Sequence, residues 1–182
     1  MVKGRFEVRI AGAGGQGVVT AGLMLAEAAV LSGLRATHSQ VYGPQSRGGT
    51  SRSDVVIAQG EIGFPLADSV DLMLVLNRES WERLAPVVGG AVGMLVDSVA
   101  IGGVEVPGVE VFPIVDTARL VSGGVLMSGV VALGLLQAHT PLVELGALQQ
   151  AVAARVPARH RTMNLDALSA GAELLAEARS LP

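Results

Sequence analysis

The chain has 182 residues, a formal net charge of −3 and no cysteine. That length supports one domain with a sizeable core. The charge offers no basic face for general nucleic-acid binding, and the missing thiols exclude disulfides and thiolate-held iron–sulfur clusters on this polypeptide. Half of the residues are hydrophobic, 16% are charged and mean hydropathy is +0.52, so some apolar surface is expected to lie under a partner or a second copy of the chain. Aromatic residues are only 3%, which leaves the core to Val, Leu, Ala and Ile. The absence of Cys fits the cytoplasm, and the basic residues Lys3, Arg5 and Arg9 run into a strand-like stretch without a signal-type apolar segment.

Taken in chain order, a strand is predicted over 6–10, then the glycine-rich turn 11–17, then a helix over 18–32 closed by Gly33. Further strands are expected at 34–39, 53–58, 72–76, 94–96 and 109–112, and further helices at 79–85, 116–121, 125–137, 142–154 and 165–178. Gln59-Gly60 reads as a turn joining 53–58 to a short partner at 61–63. Asn164 reads as the N-cap of the last helix, and the basic stretch 155–163 as a solvated loop before it. Most strands lack polar alternation, as expected when both faces are covered. The pattern predicts a single Rossmann-like α/β domain over 1–182, with a mostly parallel sheet flanked by helices in three layers.

Residues 120–138 form 19 positions without an acidic or basic side chain, close to a bilayer-spanning length. Gly123, Gly124, Gly129 and Gly134 interrupt them, with Ser122, Ser128 and Gln137. The expectation is a helix buried against a sheet or a neighbouring subunit and no membrane association, with a membrane span as the minor alternative.

The order strand, glycine turn, helix builds an anion site, because glycines let the backbone approach a ligand and the first helical N–H groups carry partial positive charge. Gly12, Gly14 and Gly17 match the G-x-G-x-x-G spacing. A dinucleotide site also wants an acidic residue about 20 positions later. No Asp or Glu occurs between Glu27 and Asp54, so a ribose anchor is missing. The bland alternative is a tight turn that packs helix on strand.

Tyr42-Gly43-Pro44-Gln45-Ser46-Arg47-Gly48-Gly49-Thr50 forms a second shaped loop. In a parallel sheet it gathers at the same edge as the first, bringing Arg47 and Arg52 beside the turn at 14–17. A guanidinium beside free N–H groups suits a phosphate or carboxylate. Contact with another subunit explains the same loop equally well. His38, His139 and His160 are scattered and lack metal-ligand spacing. Ser46 and Ser51 carry no nucleophile pattern, and Asp68 and Asp71 are expected to cap or pair. Ligand loops without an acid, base or nucleophile suggest a part of a larger enzyme.

Gly-Ala-Gly-Gly-Gln-Gly-Val-Val-Thr-Ala-Gly from Gly12 to Gly22, with Tyr42-Gly43 and Arg47-Gly48-Gly49, resembles the gamma subunit of 2-oxoacid:ferredoxin oxidoreductases. Asp71-Leu-Met-Leu-Val, Phe112-Pro113 with Thr117-Ala118, and Asn164, Ala167 and Gly171 extend the resemblance over nearly the whole chain. One departure is Gly129, standing where the family often has Asn ahead of the Leu133-Gly134 helix. The resemblance implies a complex that decarboxylates a 2-oxoacid (pyruvate, 2-oxoglutarate or ketoisovalerate) on thiamine diphosphate. Electrons then pass through iron–sulfur clusters to ferredoxin, and the acyl group passes to coenzyme A. Thiamine diphosphate and clusters would belong to partner subunits: alpha, beta and a ferredoxin-like delta.

This chain would be an accessory subunit, inactive alone, able to self-associate when isolated. Met1, just before the first strand, favours a separate chain over a piece of a fused one. Gly12, Gly14, Gly15, Gln16, Gly17, Tyr42, Gly43, Arg47, Gly48 and Gly49 are the candidate site, holding a coenzyme A phosphate or docking a partner loop. A free-standing nucleotide- or flavin-binding protein and a purely structural assembly subunit are the competing readings.

Overall fold

A computed structural model describes residues 4–42, 49–87, 93–103 and 106–180. Six strands form one sheet: β1 (Arg5–Ala13), β2 (Arg35–Tyr42), β3 (Thr50–Ala58), β4 (Leu72–Val75), β5 (Gly93–Asp97) and β6 (Val109–Phe112), in the order β2-β3-β1-β4-β5-β6. β1, β4, β5 and β6 are mutually parallel. β3 is antiparallel to both β1 and β2, so β2 runs with β1. The sheet is therefore mostly parallel, as expected, with one reversed strand. β2 and β3 pair directly in antiparallel register, with His38 opposite Val55 and Tyr42 opposite Ser51. A βαβ crossover is not needed there because the reversed strand returns the chain to the right edge.

That pairing corrects one expectation. Residues 61–63 form no strand; both edges of β3 are already taken, by β1 and by β2. The segment that follows instead crosses the end of the sheet. There Arg5 donates to the Phe64 and Leu66 carbonyls, Thr37 to the Pro65 carbonyl, and Ser69 N–H to Glu7. Asp71 accepts from Glu7 N–H at 2.8 Å and Asp68 lies 3.7 Å from Arg5, which makes both acids pairing groups, as predicted.

Among the described residues, seven α-helices flank the sheet unequally: α1 (Val18–Leu31), α2 (Arg78–Leu84), α3 (Ser98–Ile101), α4 (Ile114–Ser122), α5 (Ser128–His139), α6 (Leu145–Ala154) and α7 (Arg161–Ser180). Alternate residues of β1, β3 and β4 (Val8, Ile10, Val55, Ile57, Leu72, Leu74) enter a large core with α1, α4, α5, α6 and α7. The opposite face buries Met73, Val75, Met94 and Val96 with α2 and α3, and Val70 and Val106 pack against the same cluster. The five helical expectations from 79–85 onward hold in type, with shifted starts. The helix expected at 116 begins at Ile114 because Asp97 takes the Val115 N–H. The one expected at 142 begins at Leu145, after Pro141, where Gln137 holds the Val143 carbonyl.

Asn164 is not an N-cap. It lies inside α7, nearly buried, and donates to the His160 carbonyl. The stretch read as a loop holds a 3₁₀ turn, Ala158–His160, and the first turn of α7. A charge-rich surface turn of helix is indistinguishable by composition from a solvated loop. The uncharged run at 120–138 divides between the end of α4, a turn and α5, whose residues 128–136 are all buried. Among the described residues, no helix is long and apolar enough to cross a membrane.

Candidate functional site

β1 runs into the glycine turn at the carboxyl edge of the sheet, between β3 and β4. The two predicted loops meet there: Gly14 N–H donates to the Gly49 carbonyl at 3.0 Å. The parallel course of β1 and β2 brings this about, since the loop after β2 returns beside β1 through β3. Tyr42 closes β2 opposite Ser51, while Gly43, Arg47 and Gly48 lie outside the described residues.

Gln16 decides the shape of the turn. Its Oε1 accepts from Ala13 N–H at 2.6 Å and its Nε2 donates to the Leu76 carbonyl at 3.0 Å. Its own carbonyl accepts from Gly129 N–H at 2.9 Å. The side chain is buried and spans from β1 to the residue after β4, the notch where an open α/β sheet usually admits a nucleotide. Gly12 is fixed by this arrangement, because a Cβ there would stand 2.6 Å from Gln16 Oε1. Gly17 precedes α1 at φ +74°, a conformation other residues rarely adopt. A Cβ on Gly17 would also stand 2.6 Å from the Leu126 carbonyl.

The backbone donors of the turn are thus largely engaged within the fold. Ala13, Gly14 and Gln16 N–H groups all have partners. Gly14 and Gly15 form the exposed apex, with Gly15 at φ +93° and open space where a Cβ would go. The first-turn N–H groups of α1 have no intrahelical acceptor, and Thr20 in that turn is exposed.

Two arginines near the edge have different duties. Arg52 lies opposite Ala11, inside the sheet, with Nε 3.3 Å from Asp54 Oδ2. Asp54 is buried and also takes both Nε and Nη2 of Arg9, at 2.8 and 2.9 Å. Arg83 of α2 reaches Thr50 Oγ1 at 3.2 Å and pairs with Glu79. It sets a cation beside the second loop, and only the arrangement of α2 over the sheet end could reveal it. A lone Arg in the last turn of a short helix carries no such signal.

Among the described residues, no histidine stands at this edge with a reactive partner. His38 Nε2 lies 2.7 Å from Ser53 Oγ, over Gly22. Burial pushes its imidazole below the ordinary value, the Arg155 charge adds to this, and Asp54 partly opposes. His139 contacts Glu110 and Thr140, and His160 contacts Arg159. Asp97, at the end of β5, escaped sequence reasoning. It is fully buried and accepts from Val99 N–H at 2.9 Å and Val115 N–H at 2.7 Å, which starts α3 and aims α4. Burial raises its carboxyl above the usual range, outweighing those hydrogen bonds. Among the described residues, no three His, Cys, Asp or Glu side chains converge as metal ligands.

The family described as pyruvate ferredoxin/flavodoxin oxidoreductase matches residues 7–174. The 2-oxoglutarate synthase subunit KorC of Methanothermobacter thermautotrophicus is 36% identical, over 97% of this chain and 98% of that one. The solved keto/oxoacid ferredoxin oxidoreductase gamma subunit from Geobacter sulfurreducens superposes with a TM-score of 0.82 at 36% identity, covering 96% of this chain and 98% of that one. The fold also recurs within a 2-oxoglutarate:ferredoxin oxidoreductase from Magnetococcus marinus, with a TM-score of 0.84 at 22% identity. That match covers all of this chain and 32% of the other.

Proposed function

The chain belongs to the pyruvate ferredoxin/flavodoxin oxidoreductase family, and from that premise we propose that it is the gamma subunit of a multi-subunit 2-oxoacid:ferredoxin oxidoreductase whose substrate is 2-oxoglutarate. The observation that carries the proposal is the likeness, at 36% identity and near-complete mutual coverage, to a 2-oxoglutarate synthase subunit. In this reading thiamine diphosphate and iron–sulfur clusters sit in alpha, beta and delta partners, consistent with a chain that has no cysteine. The complex passes electrons to ferredoxin in the cytoplasm. Coenzyme A is the acyl acceptor.

Within that assembly the exposed rim of the glycine turn is this chain's contribution. Gly14, Gly15 and Gly17 of the turn supply one part of the contact, and the second loop, with Tyr42, Gly43, Arg47, Gly48 and Gly49, is assigned the other part by its sequence. Together they hold a coenzyme A phosphate or a partner loop beside it, while Gly12 and Gln16 shape the turn from inside. A free-standing nucleotide- or flavin-binding role fits less well. β2 carries no acid to hold a ribose, and Gln16 fills the notch between β1 and β4.

The test is affinity capture of the tagged chain from its own cells, followed by assay of coenzyme A-dependent oxidation of several 2-oxoacids with methyl viologen. The expected result is co-purifying activity greatest with 2-oxoglutarate. Preference for another oxoacid overturns the substrate, and capture of the chain alone without activity overturns the role. In the assembled complex, Arg47→Ala should lower turnover while assembly persists. Unchanged coenzyme A dependence would remove Arg47 from the site.

A further inference from the structure

A groove of about 430 Å³ lies where the second half of α5 meets α6 and α7. Gly134, Ala138, Leu168 and Ala172 make much of its lining apolar, and Leu145 of α6 stands on it, 54% exposed. Its polar groups are Gln137, Gln149, Ser169 and Glu173, and no Lys, Arg or His lines it. Gln149 and Ser169 are exposed and can donate or accept. The other two can only accept.

Gln137 Nε2 donates to the Val143 carbonyl at 2.7 Å, which assigns the other amide atom as oxygen. That Oε1 is buried and accepts no hydrogen bond from any described residue. A buried acceptor left unpaired costs free energy, so it calls for a donor. Glu173 is exposed and joins none of the ion pairs among the described residues. An orphan carbonyl oxygen and an unpaired carboxylate along one groove call for a cation that carries N–H donors. An ammonium, whose three donors point apart, suits two acceptors on different helices. A guanidinium is matched instead to the coplanar oxygens of one carboxylate.

Bare apolar surface adjoins the groove. Glu144 N–H donates to Ser32 Oγ at 2.9 Å, which sets Leu145 beside the end of α1, where Val30 and Leu31 are 60% and 44% exposed. Exposed apolar residues next to an unpaired charge mark a protein contact. The chain has one lysine, Lys3, so an ammonium here comes from another polypeptide. A lysine also brings a methylene stem that packs on apolar walls while its charged head reaches acceptors.

We propose that this groove receives a lysine side chain of a partner subunit, with its ammonium between Gln137 Oε1 and Glu173 and its stem along Leu145 and Leu168. Val30 and Leu31 take apolar residues of the same partner. The inference deepens the subunit reading above and rests on it for the existence of a partner.

The test uses the complex captured from its own cells through the tagged chain. A water-soluble carbodiimide joins a carboxylate to a neighbouring amine with loss of water, and mass spectrometry of the digested complex locates the link. The expected result is an amide between Glu173 and a lysine of a co-purifying subunit. A link from Glu173 to Lys3 instead would put a second copy of this chain on the groove and overturn the proposal. Glu173→Lys sets two ammonium groups against each other at an exposed position. It should lower the yield of co-purifying subunits about tenfold or more, with the urea midpoint of the isolated chain unchanged. An active complex without the expected link, or full yield with Glu173→Lys, overturns the proposal and leaves the subunit reading standing. Capture of the chain alone overturns both.

Discussion

Glycine appears at two places in this molecule for opposite physical reasons. At the β1–α1 turn, Gly15 and Gly17 are required by backbone conformation, with φ of +93° and +74°, and the apex faces solvent. At the crossing of α5 and α7, Gly134 and Gly171 have ordinary helical backbone. A Cβ on Gly134 would overlap the Leu168 carbonyl, and one on Gly171 would overlap the Val131 carbonyl. There the missing side chain lets two helices approach until backbone meets backbone. One region needs glycine for what the chain itself does, the other for what a neighbour does. A turn of the first kind can be exposed and functional; a contact of the second kind is core.

The largest test of this contrast is Gly171→Ala. Overpacking against a rigid carbonyl should cost about 3 kcal/mol or more, read as a lowered midpoint in urea unfolding of the isolated chain. An unchanged midpoint would mean that the crossing has slack. Next comes Gln16→Leu, which keeps the volume but removes both side-chain hydrogen bonds. Ala13 N–H and the Leu76 carbonyl are left without these partners, at a cost of about 2–4 kcal/mol for two such groups. Loss of stability of less than 1 kcal/mol, roughly a single weak hydrogen bond, would show that water enters the notch, and the nucleotide reading would regain force.

Asp97→Asn probes the same sheet edge at a residue that is not glycine. The amide can accept from only one of Val99 N–H and Val115 N–H, so a loss of about 1–3 kcal/mol is expected. The native carboxyl binds its proton more tightly than the unfolded one, since burial raises its pKa. Wild-type stability should therefore contain a component that declines as pH rises from the ordinary carboxylate range through the raised value. In the Asn variant that component should vanish, as urea titrations across the acidic range will show. The smallest effect on stability is expected from Gly15→Ala, about 1–2 kcal/mol for a left-handed backbone in open space. Its effect on coenzyme A-dependent turnover of the assembled complex should exceed its effect on folding. Full turnover would mean that the apex touches neither ligand nor partner.

Much of the fold was legible in the residues because hydrophobic period and chain punctuation are local. Strands at 72–76 and 109–112 and the helix at 18–32 needed only short apolar runs and Gly33. Position in the sheet was less accessible. The sequence-based expectation of a partner at 61–63 failed because strand pairing depends on which edges are free, a property of the assembled sheet. Asn164 was misread because a short polar residue before an apolar stripe looks like a cap, whereas the helix had already begun at Arg161. Of the candidate site, the meeting of the two glycine loops followed from topology. The inward turn of Gln16 did not, because a Gln in a glycine-rich turn gives no sign of whether it faces a ligand or the core.

The sequence by itself determined the α/β class, the glycine turn and the family, since each is carried by contiguous residues whose chemistry is local. Tertiary structure alone decided that β3 runs backwards, that Gln16 closes the notch between β1 and β4, and that Asp97 ties the start of α4 to the end of β5. These facts depend on residues 18 to 60 positions apart meeting in space, and the packing of the whole chain, not any local pattern, sets which of them meet.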